Sequence, residues 1–182
     1  MELAAAIAGR RTIKAYTGQA VPRETVAALV EAACWAPNHR LTQPWRFSAI
    51  DRDGIARLVA FVQTPPVCTA VYPRKLPSIC QRLAACGALV QVTCLLAGSE
   101  EQRRDDRDAT AAAVQNLLLA AHAAGLGSFW STSPLLSHRE VLRWFGSDPA
   151  VEVHVATIWL GYSAENPVVP PRKPLAEVLR WA

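Results

Sequence analysis

Four short stretches of this 182-residue chain gather side chains able to bind or move charge. "GRRTIKAY", Gly9 to Tyr16, clusters Arg10, Arg11, Thr12 and Lys14. An extended segment sends alternate side chains to opposite sides, so Arg10, Thr12 and Lys14 share one side: two cations and a hydroxyl. That set suits a phosphate at one end of a ligand and electron-rich oxygen at the other. A solvated basic turn has the same composition. "PPRKPLAEV" places Arg172 and Lys173 just before an expected helix start, where free N–H groups and the helix dipole favour an anion. A charged surface pair fits that stretch equally. "GLGSFWSTSP" sets Gly125 and Gly127 ahead of Trp130, Ser131 and Thr132. Glycines permit close backbone approach, and the indole either packs against a planar ring or fills the core. "APNHRLTQPWRF", Ala36 to Phe47, carries Asn38, His39, Arg40, Thr42 and Gln43 between an expected helix and an expected strand, and closes with Pro44-Trp45. It is either a polar surface loop or a loop that holds a ligand.

Other chemistries find little support. No two of the four histidines have metal-site spacing. His122 ends a helix, where the dipole favours an imidazolium; His138 falls in an exposed first turn, and His154 lies inside a strand. Only His39 has polar company in a loop. No G-x-S-x-G elbow for a Ser-His-Asp hydrolase occurs, and no G-x-G-x-x-G follows a strand, which argues against a Rossmann nucleotide site. The five cysteines are odd in number and contain no C-x-x-C pair, so neither a disulfide framework nor a zinc site is expected. Cys34 and Cys94 sit in apolar runs and read as core thiols.

The elements that must position these groups follow from periodicity. A short helix over 3–8 ends at Gly9. A second spans 23–35, with Val26, Leu29, Val30 and Ala33 on one stripe and Pro22 at its entrance. "WRFSAI", "ALVQVTCLLAG", "GSFWST" and "VEVHVATIWLGY" read as strands. "RDGIARLVAFVQ" reads as helix, and the longest helix spans 102–124 behind the mixed-charge entry "EEQRRDDRD". "SHRE" at Ser137 to Glu140 is a capping box for a helix ending near Phe145. Pro174 opens a terminal helix. The four-proline segment Thr64 to Pro77 reads as irregular, a candidate flap. Helices outnumber strands and do not alternate with them, which predicts an α+β protein with a small, mostly antiparallel sheet.

The length fits a single domain over residues 1–182. A hydrophobic content of 51% lies far from disorder. Apolar runs stop short of the roughly 20 residues a membrane span requires. The first residues are apolar with arginines after them, the reverse of a signal peptide, so a soluble cytoplasmic protein is expected. The net charge of +4 suggests an anion as ligand, but no Lys/Arg run with interleaved aromatics points to nucleic acid.

Taken in order, these pieces resemble the FMN-dependent nitroreductase family, in its compact branch. "RRTIKAY" looks like that family's R-R-S-x-R-x-F segment, and "APNHRLTQPWRF" like its A-P-S-x-x-N-x-Q-P-W-x-F segment. "GLGSFWST" resembles the Gly-Leu-Gly region, and "WLGY…PPRKPLAEVL" the Leu-Gly-Tyr…Arg-x-Pro tail. The four matches run from end to end of the chain. The resemblance implies a three-layer α/β/α arrangement, with the small sheet flanked by helices. It implies a homodimer with two FMN sites at the interface, each built from both chains. Arg10, Thr12 and Arg172 would take the phosphate, with Arg11 nearby, and Lys14 would sit at the pyrimidine edge of the flavin and stabilise its reduced form. Pro37, Asn38 and His39 would come from the partner, with Gln43 in the same motif. Trp130, Ser131 and Thr132 would lie along the ring, with a backbone N–H facing flavin N5.

The implied reaction passes hydride from NADH or NADPH through flavin N5 to a nitroaromatic, a quinone or a similar acceptor, with no protein nucleophile. The same fold also accommodates dehydrogenation or reductive removal of a substituent, and a non-catalytic FMN carrier is the remaining flavin reading. Departures from the family pattern are Leu41 where its Asn stands and Asn38 where its first Ser stands. The region around Trp130 also replaces the Pro-Glu-Gly segment of larger members. The segment Thr64 to Pro77 stands where those members place lid helices.

Overall fold

The centre of the molecule is the strand Ala88–Leu95 (β2), buried along almost its whole length. It pairs antiparallel with Trp45–Ile50 (β1) on one side and with Glu152–Gly161 (β4) on the other. Gly127–Ser131 (β3) pairs antiparallel with β4, so the sheet order is β1-β2-β4-β3. These coordinates, a computed structural model, describe residues 1–71 and 73–182.

Because β2 and β4 are both central, each needs helices on both faces. One face, carrying Ala88, Val90, Val92, Ala156, Ile158 and Leu160, packs against helices Arg23–Cys34 (α2) and Glu100–Ala123 (α6). The stripe Ala113, Val114, Leu117, Leu118 and Ala121 of α6 is buried, as its 3.6-residue period requires. The other face presents Leu89 and Trp159 to a second core. That core is built by Arg52–Val62 (α3), Val67–Ala70 (α4), Leu76–Ala84 (α5) and Arg139–Trp144 (α7). Leu3–Gly9 (α1) precedes the basic head segment and lies beside α6. The expected α+β class, the antiparallel sheet and the α/β/α layering are all present.

Capping side chains mark several boundaries. Asp51 accepts the Gly54 N–H at 3.0 Å to start α3, and Ser99 accepts the Gln102 N–H at 3.2 Å to start α6. Asp51 also pairs with Arg23 at 2.5 Å; the Gly54 bond first, then Arg23, hold its carboxyl below the ordinary range.

Several expectations are corrected. The segment Thr64 to Pro77 is not wholly irregular: it contains α4 and the start of α5, and Tyr72 within it lies outside the described residues. Helix α5 went unrecognised because prolines precede it, yet Leu76, Cys80 and Leu83 recur at i, i+4, i+7 and are buried. The cap of α7 is His138, whose Nδ1 accepts the Glu140 N–H at 3.3 Å, rather than Ser137; His138 is accordingly half-buried. No terminal helix follows Pro174, only a 3-10 turn over Leu175–Glu177, and Leu175, Val178 and Leu179 stay exposed, so no buried stripe holds a helix there. Cys34 is exposed at the end of α2, whereas Cys94 is buried. Among the described residues, no helix is long and apolar enough to cross a membrane, and no group of three His, Cys, Asp or Glu side chains could hold a metal.

Candidate functional site

The head segment, residues 10–16, runs beside β3. The Ile13 N–H donates to Ser128 O at 3.0 Å, and Thr12 forms a parallel bridge with Ser128. Gly127 makes this approach possible, since a Cβ there would lie 2.8 Å from the Ile13 side chain. Alternation holds from Thr12 to Lys14 and breaks after it, since Ala15 is exposed and Tyr16 buried. Ile13 and Tyr16 are buried, and the Tyr16 hydroxyl donates to Ile13 O at 2.6 Å, while Thr12 and Lys14 are exposed. Burial, followed by the charges of Arg11 and Arg172, pushes the Arg10 guanidinium below its ordinary value. An arginine stays charged regardless, so three cations stand close together. Among the described residues, none of the three has an acidic partner within ion-pair distance. Arg11 turns back to donate to Arg10 O at 2.6 Å, and its Nε is buried without an acceptor.

The head leads into a cleft. The Lys14 ammonium lies 5.2 Å from the centre of the Phe129 ring, a cation–π contact. Phe129 lines a cleft of about 390 Å³ with Trp130, Ser131, Thr132, Trp159 and Arg82. Arg82 of α5 lies 5.2 Å from the Trp159 ring centre, and the Trp159 Nε1 is buried without a partner. The cleft is therefore aromatic at its base, with Lys14 and Arg82 adding positive charge. Arg82 and Phe129 were not singled out in the sequence. The alternation of β3 would have shown Phe129 facing this side, but Arg82 needed α5 to be recognised. Trp130 packs partly against the α2/α6 core. The Ser131 hydroxyl is buried and accepts the Ser133 N–H at 3.3 Å, so it also shapes the following turn.

The second group of expected residues lies elsewhere. Pro37, Asn38 and Gln43 line a cleft of about 620 Å³ with Glu31, Cys34, Trp35 and Leu41. His39 is separated from them, lining with Arg40 and Thr42 a small cleft against the first turn of α6; its Nε2 accepts from Arg40 Nε at 3.1 Å. The loop is held by side chains. Asn38 Oδ1 accepts the Gln43 N–H at 2.9 Å, and the Thr42 hydroxyl donates to the buried Asp106 carboxylate at 2.6 Å. Arg40, Leu41 and Gln43 all take left-handed backbone, with φ of 54°, 54° and 42°, which costs of order 1–3 kcal/mol each in a non-glycine residue. Trp35 and Leu41 are 83% and 77% exposed.

This loop feeds β1, one edge of the sheet, whereas the head flanks β3, the opposite edge. Three strand spacings, roughly 14 Å, separate the edges. One chain therefore does not bring the two expected half-sites together. His154 contributes to neither: its Nε2 lies 3.0 Å from Thr157 Oγ1, and burial pushes its pKa down to about 4.

Fold and site define an α+β protein with a cationic, aromatic cleft on one sheet edge and a polar loop on the other. The model of the Nitroreductase family matches residues 7–162, and the chain belongs to that family. It is 33% identical over 177 residues to "Putative NAD(P)H nitroreductase YfhC" of Bacillus subtilis, covering 94% of this chain and 89% of that one. A "putative nitroreductase" from Desulfovibrio desulfuricans, solved in complex with FMN, is 32% identical with a TM-score of 0.77, covering 100% of this chain and 97% of that one. The nitroreductase-like family protein from Bacillus cereus has the same fold, with a TM-score of 0.85 at 24% identity, covering 100% of this chain and 96% of that one. Membership of this family supports an oxidoreductase.

Proposed function

We propose that this chain is an FMN-dependent NAD(P)H oxidoreductase acting on nitroaromatic, quinone or similar acceptors. The observation that carries the reading is the cluster of Arg10, Arg11 and Arg172, without an acidic partner among the described residues and continuous through Lys14 with an aromatic cleft. The donor set fits a flavin phosphate. The Arg10 guanidinium feels the charges of Arg11 and Arg172, and the buried Arg11 Nε lacks an acceptor among the described residues. When bound, FMN supplies hydride chemistry at N5 between NADH or NADPH and the acceptor.

The chain's own part is to bind, orient and tune. Arg10, Arg11, Thr12 and Arg172 take the phosphate. Lys14 brings a fixed positive charge to the pyrimidine edge, where preorganised charge favours the reduced form. Trp130 and Ser131 at the end of β3, and Thr132 just after it, would lie along the ring. Pro37, Asn38 and Gln43, which share one cleft, complete the site from a second copy of the chain, and His39, which faces the small cleft against α6, would have to turn to join them. The separation of the two half-sites on opposite sheet edges supports a homodimer, as does the exposure of Trp35 and Leu41 beside the loop.

The test is spectral first and kinetic second. The purified protein is expected to be yellow and to release about one FMN per chain on denaturation, a count set by one phosphate cluster per chain. Anaerobic NADH or NADPH should then bleach it, and a nitroaromatic or quinone should restore the colour. A colourless protein that takes up no added FMN overturns the reading. Bound FMN that neither nucleotide reduces leaves a flavin carrier instead.

A further inference from the structure

The chain leaves β4 through a short ladder with the head segment. The Thr17 N–H donates to Tyr162 O, and the Ala164 N–H donates to Ala15 O, both at 3.0 Å. Tyr16 and Ser163 form an antiparallel bridge between them. The next rung is not backbone. A single carboxylate oxygen of Glu165, Oε1, accepts the Lys14 N–H at 2.5 Å and the Ala15 N–H at 3.1 Å. The Ser163 hydroxyl bends the chain at that point, donating to Glu165 O at 2.5 Å and accepting the Glu165 N–H at 3.1 Å. Beyond it the tail stands clear. Among the described residues, no backbone–backbone hydrogen bond joins residues 166–182 to the rest of the chain.

Arg172 lies in that free tail, seven residues past Glu165, yet it is close enough to Arg10 to oppose its charge. Like charges repel, so Arg10 and Arg11 do not themselves draw Arg172 toward them. Past the Ala164 backbone bond, the last hydrogen bonds that tie the tail to the body, among the described residues, are the two that the Glu165 carboxylate accepts. The two N–H groups it accepts belong to Lys14 and Ala15, within the same segment that carries Arg10 and Thr12. One side chain thus ties the tail cation to the head cations.

We propose that Glu165 is a positioning residue: its carboxylate clasps the tail to the Lys14–Ala15 backbone and so holds Arg172 in the cation cluster that receives the cofactor's phosphate. This rests on the FMN reading above. A clasp made before the ligand arrives removes part of the ordering cost of binding. Its effect should fall on the phosphate end of the ligand.

Riboflavin, which lacks the phosphate, separates that effect from general damage. Dissociation constants for FMN and riboflavin are measured by fluorescence quenching for the wild type, Glu165→Ala, Glu165→Gln, Arg172→Ala and the double variant Glu165→Ala/Arg172→Ala. Glu165→Ala should weaken FMN about tenfold and riboflavin less than about threefold, since only the phosphate contact is lost. Glu165→Gln should restore FMN binding, because its amide oxygen can still accept both N–H groups. The double variant should bind FMN no more weakly than Arg172→Ala alone, the mark of two residues acting through one contact.

Equal losses for both flavins, additive losses in the double variant, or a failure of Gln to rescue would each overturn the proposal. If the wild type binds neither flavin, it is the FMN reading that falls. The same variants are then titrated with inorganic pyrophosphate: weaker binding by Glu165→Ala with rescue by Gln upholds the clasp, and unchanged binding overturns it.

Discussion

The head segment, residues 10–16, and the loop, residues 36–45, are both rich in polar side chains, but they are held in opposite ways. The head is fixed through its backbone. Ile13 bonds to β3, Ala15 and Thr17 bond to the start of the tail, and Ile13 and Tyr16 are buried as anchors. Arg11 and Tyr16 are spent on backbone carbonyls, but the side chains of Arg10, Thr12 and Lys14 make no hydrogen bond among the described residues and are left for a ligand. The loop is fixed through its side chains, Asn38 to Gln43 and Thr42 to Asp106, and it carries three left-handed residues. Some of its polar groups are therefore consumed in holding the loop itself. Polar density alone overstates what a segment can offer a ligand; what counts is how much of it the backbone leaves unspent.

Four substitutions test that contrast. The largest effect is expected for Thr42→Val, which deprives the buried Asp106 carboxylate of a donor. Hydrogen bonds to charged groups contribute about 1.5–3 kcal/mol, so the melting temperature should drop by roughly 4–10 °C. A smaller drop would mean that the loop does not depend on its side chains. Gly127→Ala comes next. Its Cβ would meet Ile13 at 2.8 Å, and such overpacking costs typically about 1–3 kcal/mol. Thermal unfolding should show the loss, and FMN binding should weaken with it because the head is displaced. If FMN affinity were untouched, the head would not be positioned by β3.

Arg10→Ala should leave the melting temperature of the flavin-free protein unchanged or raise it, since Arg10 is half-buried between like charges. It should weaken FMN by about tenfold or more, as expected for a charged hydrogen bond lost. A destabilised protein would show that the head side chains hold structure after all. The smallest effect is expected for Leu41→Gly, which relieves left-handed backbone and should stabilise the loop by up to about 1 kcal/mol. Destabilisation instead, visible in a dilution series, would mean that the exposed Leu41 side chain is covered by a second copy.

The same contrast explains what could be read from the sequence. The strands and the long helix α6 were legible because their apolar periods are strong, and the head was legible in part because alternation sorts Thr12, Ile13 and Lys14, though not the buried Tyr16. The loop was legible only as a motif. Nothing in "NHRLTQ" states that Asn38 and Thr42 turn inward while His39 goes to a different cleft, for that depends on Asp106, which is 64 residues away from Thr42. Arg82 was hidden because its helix follows a proline-rich segment, where local signals argue against helix. The terminal helix after Pro174 was overestimated for the complementary reason: a good start signal does not make a helix when no surface receives its apolar side.

The strand order β1-β2-β4-β3 also has a genetic consequence. It keeps the head and the loop at opposite edges of every chain. In the proposed dimer, each site therefore takes its head from one copy and its loop from the other. Consider two inactive alleles, one damaged only at Arg10 and the other only in the loop at Asn38. A cell expressing both would assemble mixed dimers in which one site inherits both defects and the other inherits neither. Two null alleles would thus recover activity together that neither has alone.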